Sequence, residues 1–193
     1  MLTAEEIKEM FIQCGALLQG HFLLTSGLHS AQYLEKFQVL QYPKLTSSLC
    51  AEFAERFRDA GVEVVVGPAT GGIILAFETA RLMGLRSIFT EREKGKMTLR
   101  RGFKVTPGEK ALVVEDIVTT GGSVKECLEA VQSAGAEVVG VGLLVDRSNG
   151  KLDLGVRTES LLRMNIPAYS PEECPLCAAG IPWVKPGSRE GGV

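Results

Sequence analysis

ALVVEDIVTTGGS, residues 111–123, places two acids between a run of apolar, mostly β-branched residues and a turn built almost wholly from Thr, Gly and Ser. The apolar run, Ala111 to Val114, reads as a buried strand. The stretch from Ser123 to Ala134 carries the apolar spacing of a helix. Between them, Thr119, Thr120, Gly121, Gly122 and Ser123 offer backbone amides unobstructed by bulky side chains, hydroxyls for further hydrogen bonds, and the positive end of the following helix. Such a turn is a phosphate cradle, though it is neither a GxxxxGK[ST] loop nor a GxGxxG fingerprint. Glu115 and Asp116 would repel a phosphate unless they serve another part of the ligand, and vicinal sugar hydroxyls are natural donors to carboxylates. A ribose 5-phosphate meets both demands. The plainer alternative is a pair of solvated acids followed by a tight connection.

Outward from this stretch the same pattern repeats. Val62–Val66 leads through GPATGG into a helix over Ile73–Met83. Arg86–Thr90 is a short strand and Val138–Val145 another. Continuous apolar strands alternating with helices predict an α/β domain with a doubly wound, mostly parallel sheet covered on both faces. Ligands of such sheets sit beyond the carboxyl ends of the strands, where GPATGG, EDIVTTGGS and DRSNG all fall. Upstream, Thr3 to Glu6 form a capping box for a helix ending near Gly15, and Gly20 to Phe37 reads as a hairpin. Pro43 opens a helix that runs to about Ala60, with Gly61 as its stop. EREKGKMTLRRGFK, residues 91–104, is basic, breaks the alternation and predicts an irregular lid hinged at Gly95 and Gly102 rather than a packed element.

A net charge of −2 supplies no positive field for nucleic acid or an anionic membrane, and no apolar run approaches a bilayer-spanning length, so a cytoplasmic protein is expected. The five cysteines suit a reducing compartment. Cys14, Cys50 and Cys127 lie in helical patterns as core residues. Cys174 and Cys177 form a CPLC, half of a structural zinc site or else a turn. The two histidines, His21 and His29, are far away in sequence, so a complete site would need a second chain or a distant partner. Neither histidine has a nucleophile beside it to suggest a triad.

VVEDIVTTGGS resembles the signature of type I phosphoribosyltransferases, which bind phosphoribosyl pyrophosphate (PRPP). Together with TSGLHSAQY, GPATGG, EREKGK and Asp146-Arg147, the chain from about residue 10 to 170 is similar to the orotate phosphoribosyltransferase family. The resemblance implies transfer of ribose 5-phosphate from PRPP to orotate, giving orotidine 5′-monophosphate and pyrophosphate, with Mg²⁺ held mainly through PRPP. It assigns the 5-phosphate to Thr119, Thr120, Gly121, Gly122 and Ser123, and the ribose hydroxyls to Glu115 and Asp116. The pyrophosphate falls to Thr70, Gly71, Gly72, Arg92 and Lys96, with Asp116 and Lys96 as the catalytic pair. Thr25, Ser26, Gly27 and Tyr33 would form the base pocket, and Arg147, steadied by Asp146, would face the orotate carboxylate.

The implied organisation is an N-terminal helix and hood over residues 1–42, a PRPP-binding core over 43–170 with its lid at 91–104, and a surface extension over 171–193. A homodimer with the lid shared across subunits is implied as well. Three positions depart from the family pattern. Thr25 stands where many members carry Lys, and Glu93 and Thr98 replace a Lys and a His of the lid, leaving Lys94, Arg100 or Arg101 as candidates to compensate. A phosphoribosyltransferase for another base, or a PRPP-sensing regulator that binds nucleic acid, are the alternative readings.

Overall fold

The fold was derived from a computed structural model that describes residues 1–24 and 26–186. The chain opens with helix α1 (Ala4–Gln13), whose capping box is formed by Thr3 and Glu6 as the sequence predicts. Strands β1 (Leu17–Leu23) and β2 (His29–Leu34) pair antiparallel as a separate two-stranded sheet. A short helix α2 (Lys36–Leu40) and the longer α3 (Pro43–Arg56), with Pro43 at its start, lead to the main sheet. Its elements are β3 (Val64–Pro68), α4 (Gly71–Met83), β4 (Arg86–Glu93), β5 (Lys96–Leu99), β6 (Lys110–Val118), α5 (Gly122–Ser133), β7 (Glu137–Asp146) and β8 (Thr158–Arg163). The tail adds a one-turn helix, α6 (Pro175–Ala178).

The six strands lie in the order β5-β4-β3-β6-β7-β8, parallel except for β5 at the edge. Neighbouring residues of one strand feed opposite cores. Leu112 and Val114 pack with Ile7, Phe11, Phe53 and Leu75 under α1, α3 and α4, whereas Ala111 and Val113 pack with Val124, Cys127 and Leu128 of α5. Two buried faces explain why Ala111 to Val114 of β6 are continuously apolar and not alternating. Cys50 and Cys127 are core residues as expected, and burial pushes both thiols up to about 12. The order in which strands are added reverses between β3 and β6, which run parallel with their carboxyl ends beside each other.

Three expectations are corrected. Glu115 and Asp116 do not follow the strand but lie within β6, which continues to Val118. Half of the 91–104 segment is regular strand and not an irregular lid: Glu91 to Glu93 extend β4, and Lys96 to Leu99 return antiparallel as β5. Lys94 and Gly95 both take positive φ, 50° and 85°, the conformation of a tight hairpin turn. Met97 and Leu99 anchor that return strand on the α5-side core, so an apolar residue at every second position outweighs the basic composition. Finally, β8 and the two short helices were not anticipated, because TESLLR has too few apolar residues to stand out as a strand.

Candidate active site

The site begins at Gly121, the residue capping α5. Its φ of 84° belongs to the left-handed region, and a Cβ there would come within 2.7 Å of Leu152 Cδ1, so glycine is required on both counts. No side chain caps α5, which leaves its first amides and the hydroxyls of Thr119, Thr120 and Ser123 facing a concavity of about 100 Å³. Glu115 and Ile117 line the same hollow. The cradle and the first acid therefore belong to one site, as the sequence predicts.

Asp116 joins this site to the GPATGG loop. Its Oδ1 accepts from the Ile117 amide at 2.6 Å, and its carboxylate lies so close to Gly71 that a Cβ at position 71 would overlap Oδ2. Thr70 is exposed while Gly71 and Gly72 are buried at the start of α4, and the Ala69–Thr70 peptide is cis. A residue missed in the sequence completes the arrangement. Lys36, at the start of α2, places Nζ 2.8 Å from Asp116 Oδ2, with Asp116 buried and Lys36 about one-third exposed. Nothing in YLEKF distinguishes this lysine from any surface residue. Only the return of the hairpin toward the mouth of the sheet brings it to the acid.

Glu115 is buried, and its Oε1 accepts from the Asp116 amide at 3.0 Å. Burial first, and then the neighbouring Asp116, push its carboxyl up to about 8. The folded chain thus holds a proton that the unfolded chain releases near 4.5. Stability from this group is complete below the ordinary carboxylate range, falls as pH rises through the interval up to about 8, and is fully lost above it. Glu115→Gln should remove that loss. Thermal melts across pH should show variant and parent equal at the acid end and the variant higher by on the order of 5 °C at alkaline pH. Equal melting temperatures throughout would show that Glu115 titrates normally.

On the other flank, the Arg147 amide donates to Val118 O at 2.8 Å, tying the end of β7 to the end of β6. The Arg147 guanidinium is half-buried, and burial holds its pKa below the ordinary value. Tyr33, half-buried on β2, packs a tilted ring on Phe22 and lies within the electrostatic reach of Lys36 and Arg147. Ser26 and Gly27 are exposed beyond β1, and Thr25 lies outside the described residues. Asp146 does not steady Arg147. Its carboxylate accepts from the Ser148 amide at 2.8 Å and stands 3.8 Å from Arg163.

Lys96 and Arg92 lie apart from this group. Arg92 pairs with Glu126 of α5 at 2.6 Å and donates to Gly95 O, and Lys96 borders a groove shared with Glu126 and Glu129. Arg100 and Arg101 are engaged by Glu91, and Arg100 also by Glu93. Both partners of the Arg92–Glu126 pair are about half exposed, and such pairs contribute about 1 kcal/mol or less. That pair is too weak to fix the hairpin where it lies.

A parallel sheet that presents an uncapped helix start, a glycine loop and two buried acids at its switch point defines a protein of the phosphoribosyltransferase class. Residues 43–156 match the phosphoribosyl transferase domain family. Over 98% of its length the chain is 59% identical to an orotate phosphoribosyltransferase of Desulforamulus reducens, covering 99% of that relative, and 57% identical to one of Pelotomaculum thermopropionicum, covering all of it. The crystal structure of orotate phosphoribosyltransferase from Aeropyrum pernix superposes with a TM-score of 0.69 at 27% identity, over 82% of this chain and 93% of that one. The chain belongs to the orotate phosphoribosyltransferase family.

Proposed function

We infer that the chain transfers the ribose 5-phosphate unit of PRPP to orotate, releasing pyrophosphate. The observation that carries this reading is the contact between Gly71 and Asp116, which brings the GPATGG loop directly against the β6 acid; that supports a diphosphate on the one and a ribose on the other. The α5 cradle, Thr119 to Ser123, receives the 5-phosphate, while Glu115 and Asp116 accept hydrogen bonds from the ribose hydroxyls. Thr70, Gly71 and Gly72 bind the diphosphate. As the bond from C1 to the diphosphate oxygen lengthens, positive charge grows on the sugar and negative charge on the leaving group. Asp116 stabilises the first, and Lys96 with Arg92 the second. The orotate ring nitrogen forms the new bond to C1 and loses its proton.

Ser26, Gly27 and Tyr33, with Thr25, contact the base, and Arg147 pairs its planar fork with the orotate carboxylate. Lys36 supplies a cation at the site that Thr25 does not. Glu115 and Asp116 are the only carboxylates lining the cradle and the loop beside it among the described residues, and Asp116 already has a lysine partner. Such a set would fit Mg²⁺ that arrives with PRPP, and Glu115 and Asp116 are the residues that would help to hold it. When bound, Mg²⁺ neutralises charge on the diphosphate.

The lid is the β4–β5 hairpin, and it closes over the site of a partner subunit in a homodimer, excluding water from the activated sugar. Support for a dimer comes from Ile74 and Phe77, exposed on one face of α4 beside Leu40 and Pro43, an apolar concavity of about 600 Å³ away from the cradle. No helix among the described residues is long and apolar enough to cross a membrane. The charge of a sugar phosphate substrate supports a cytoplasmic reaction. The N-terminal hairpin acts as hood, residues 43–170 as the core, and the tail as an extension.

Incubation with PRPP, Mg²⁺ and each of orotate, uracil, hypoxanthine and adenine tests the reading. Loss of orotate absorbance with matching pyrophosphate release is expected; turnover of a purine with none of orotate would overturn it. Arg147→Ala should raise the KM for orotate about 30-fold and leave that for PRPP nearly unchanged. An equal loss toward both substrates would make Arg147 structural.

A further inference from the structure

We propose that His21, His29, Cys174 and Cys177 bind one structural Zn²⁺ that fastens the tail of the chain to the N-terminal hairpin, independently of the reaction above. The donor atoms of all four lie within 4.8 Å of one another, although the two pairs are separated by about 150 positions in sequence. His21 Nε2 is 2.8 Å from His29 Nδ1 and 3.4 Å from Cys174 Sγ, and Cys177 Sγ is 3.2 Å from His29 Nδ1. A tetrahedral zinc with bonds of about 2.0 Å to nitrogen and 2.3 Å to sulfur needs its ligands roughly 3.3–3.8 Å apart. The cluster reaches that geometry by small side-chain rotations.

The local structure aims these groups inward. A register shift in β1 between Gln19 and Phe22 adds one residue to the strand, so that His21 and Phe22, adjacent in sequence, are both buried. His29 opens β2 on the facing strand. The tail then runs along the hairpin on both sides. Tyr169 exchanges two backbone bonds of 2.8 Å with His29, and Val184 bonds His21 O and the Leu23 amide, each at 2.9 Å. CPLC lies between these two attachments, with Cys174 buried at the cap of α6.

Chemistry selects a metal over the other uses of such a set. His21 Nδ1 lies 2.7 Å from Ile181 O and must donate to it, which leaves the Nε2 lone pair directed at the cluster. A ring held through its other N–H by a backbone carbonyl is the support that metal-ligating histidines have. Two imidazoles and two thiols satisfy one another poorly as hydrogen-bond partners, since thiols are weak donors. Two sulfurs and two nitrogens in a buried tetrahedron suit Zn²⁺, and four protein ligands leave no open position, so the role is structural rather than catalytic. The CPLC pair therefore does not form a simple turn, and the distant partner that completes it is the hairpin of the same chain.

The test uses the full chain, purified without chelator, incubated with one equivalent of ZnCl₂ and desalted. Elemental analysis is expected to return one zinc per chain, lost in C174S/C177S, with a melting temperature about 10 °C lower in that variant or after chelation. Because the double variant could fail to fold, the unaltered protein is also loaded with Co²⁺. Intense visible bands of a tetrahedral ion with thiolate-to-metal charge transfer are expected. Substoichiometric zinc, zinc retained by C174S/C177S, an octahedral Co²⁺ spectrum without charge transfer, or bound iron would each overturn the assignment.

Discussion

Lys96→Ala should lower kcat by about 10²–10³-fold while the KM for PRPP changes only a few-fold, the signature of a contact made in the transition state rather than the ground state. Lys96 opens β5 directly after the tight turn at Lys94 and Gly95, at the tip of the antiparallel β4–β5 pairing. In the present conformation it borders α5, some way from Gly71, and it must travel with the hairpin to meet a leaving diphosphate. Such travel would have to release Met97 and Leu99 from the core, the half-exposed Arg92–Glu126 pair adding little, and a diphosphate would offer Arg92 a stronger partner. Single-turnover kinetics separate the chemical step from release. An unchanged chemical rate would remove Lys96 from the mechanism and leave the hairpin a purely structural edge.

Asp116→Asn should reduce kcat/KM by a comparable factor, about 10²–10³, with the fold intact because the amide keeps the shape of the carboxylate. A structural role alone would also be sensitive to this change, so a second readout is needed. Asp116 is one of the two causes that raise the Glu115 pKa, the lesser one after burial. In the variant the Glu115 titration should move back toward the ordinary carboxylate range, and the loss of stability with rising pH should be smaller and end at a lower pH. Loss of activity without that movement would mean that the two acids do not share one electrostatic environment, contrary to their positions side by side at the mouth of the sheet. Retained activity would reassign the ribose-side role altogether.

The sheet and the cradle were legible because both depend on local pattern. Ala111 to Val114 could be read as doubly buried from four apolar residues, and Gly121 announces the left-handed cap of α5 whatever surrounds it. What escaped depends on chain segments meeting from a distance. Lys36 has meaning only because α2 returns beside β6, and Asp146 turned from Arg147 toward Arg163 because β8, unseen in the sequence, pairs alongside β7. The basic segment was misjudged for another reason. Its charges lie on the exposed side of a hairpin whose buried side is only Met97 and Leu99, too few residues to set a visible period. The histidines were legible as residues and not as a pair with CPLC, since a bulge, not a spacing, turns His21 inward.

The want of any space between Gly71 and the Asp116 carboxylate bears on how this enzyme can be altered. Even the smallest side chain at position 71 would displace the acid, so the floor proposed to carry the sugar diphosphate admits almost no variation. The rim is different: Ser26 and Gly27 stand in solvent and Tyr33 is only half covered. Redesign toward another acceptor should therefore begin at the rim and leave the floor untouched.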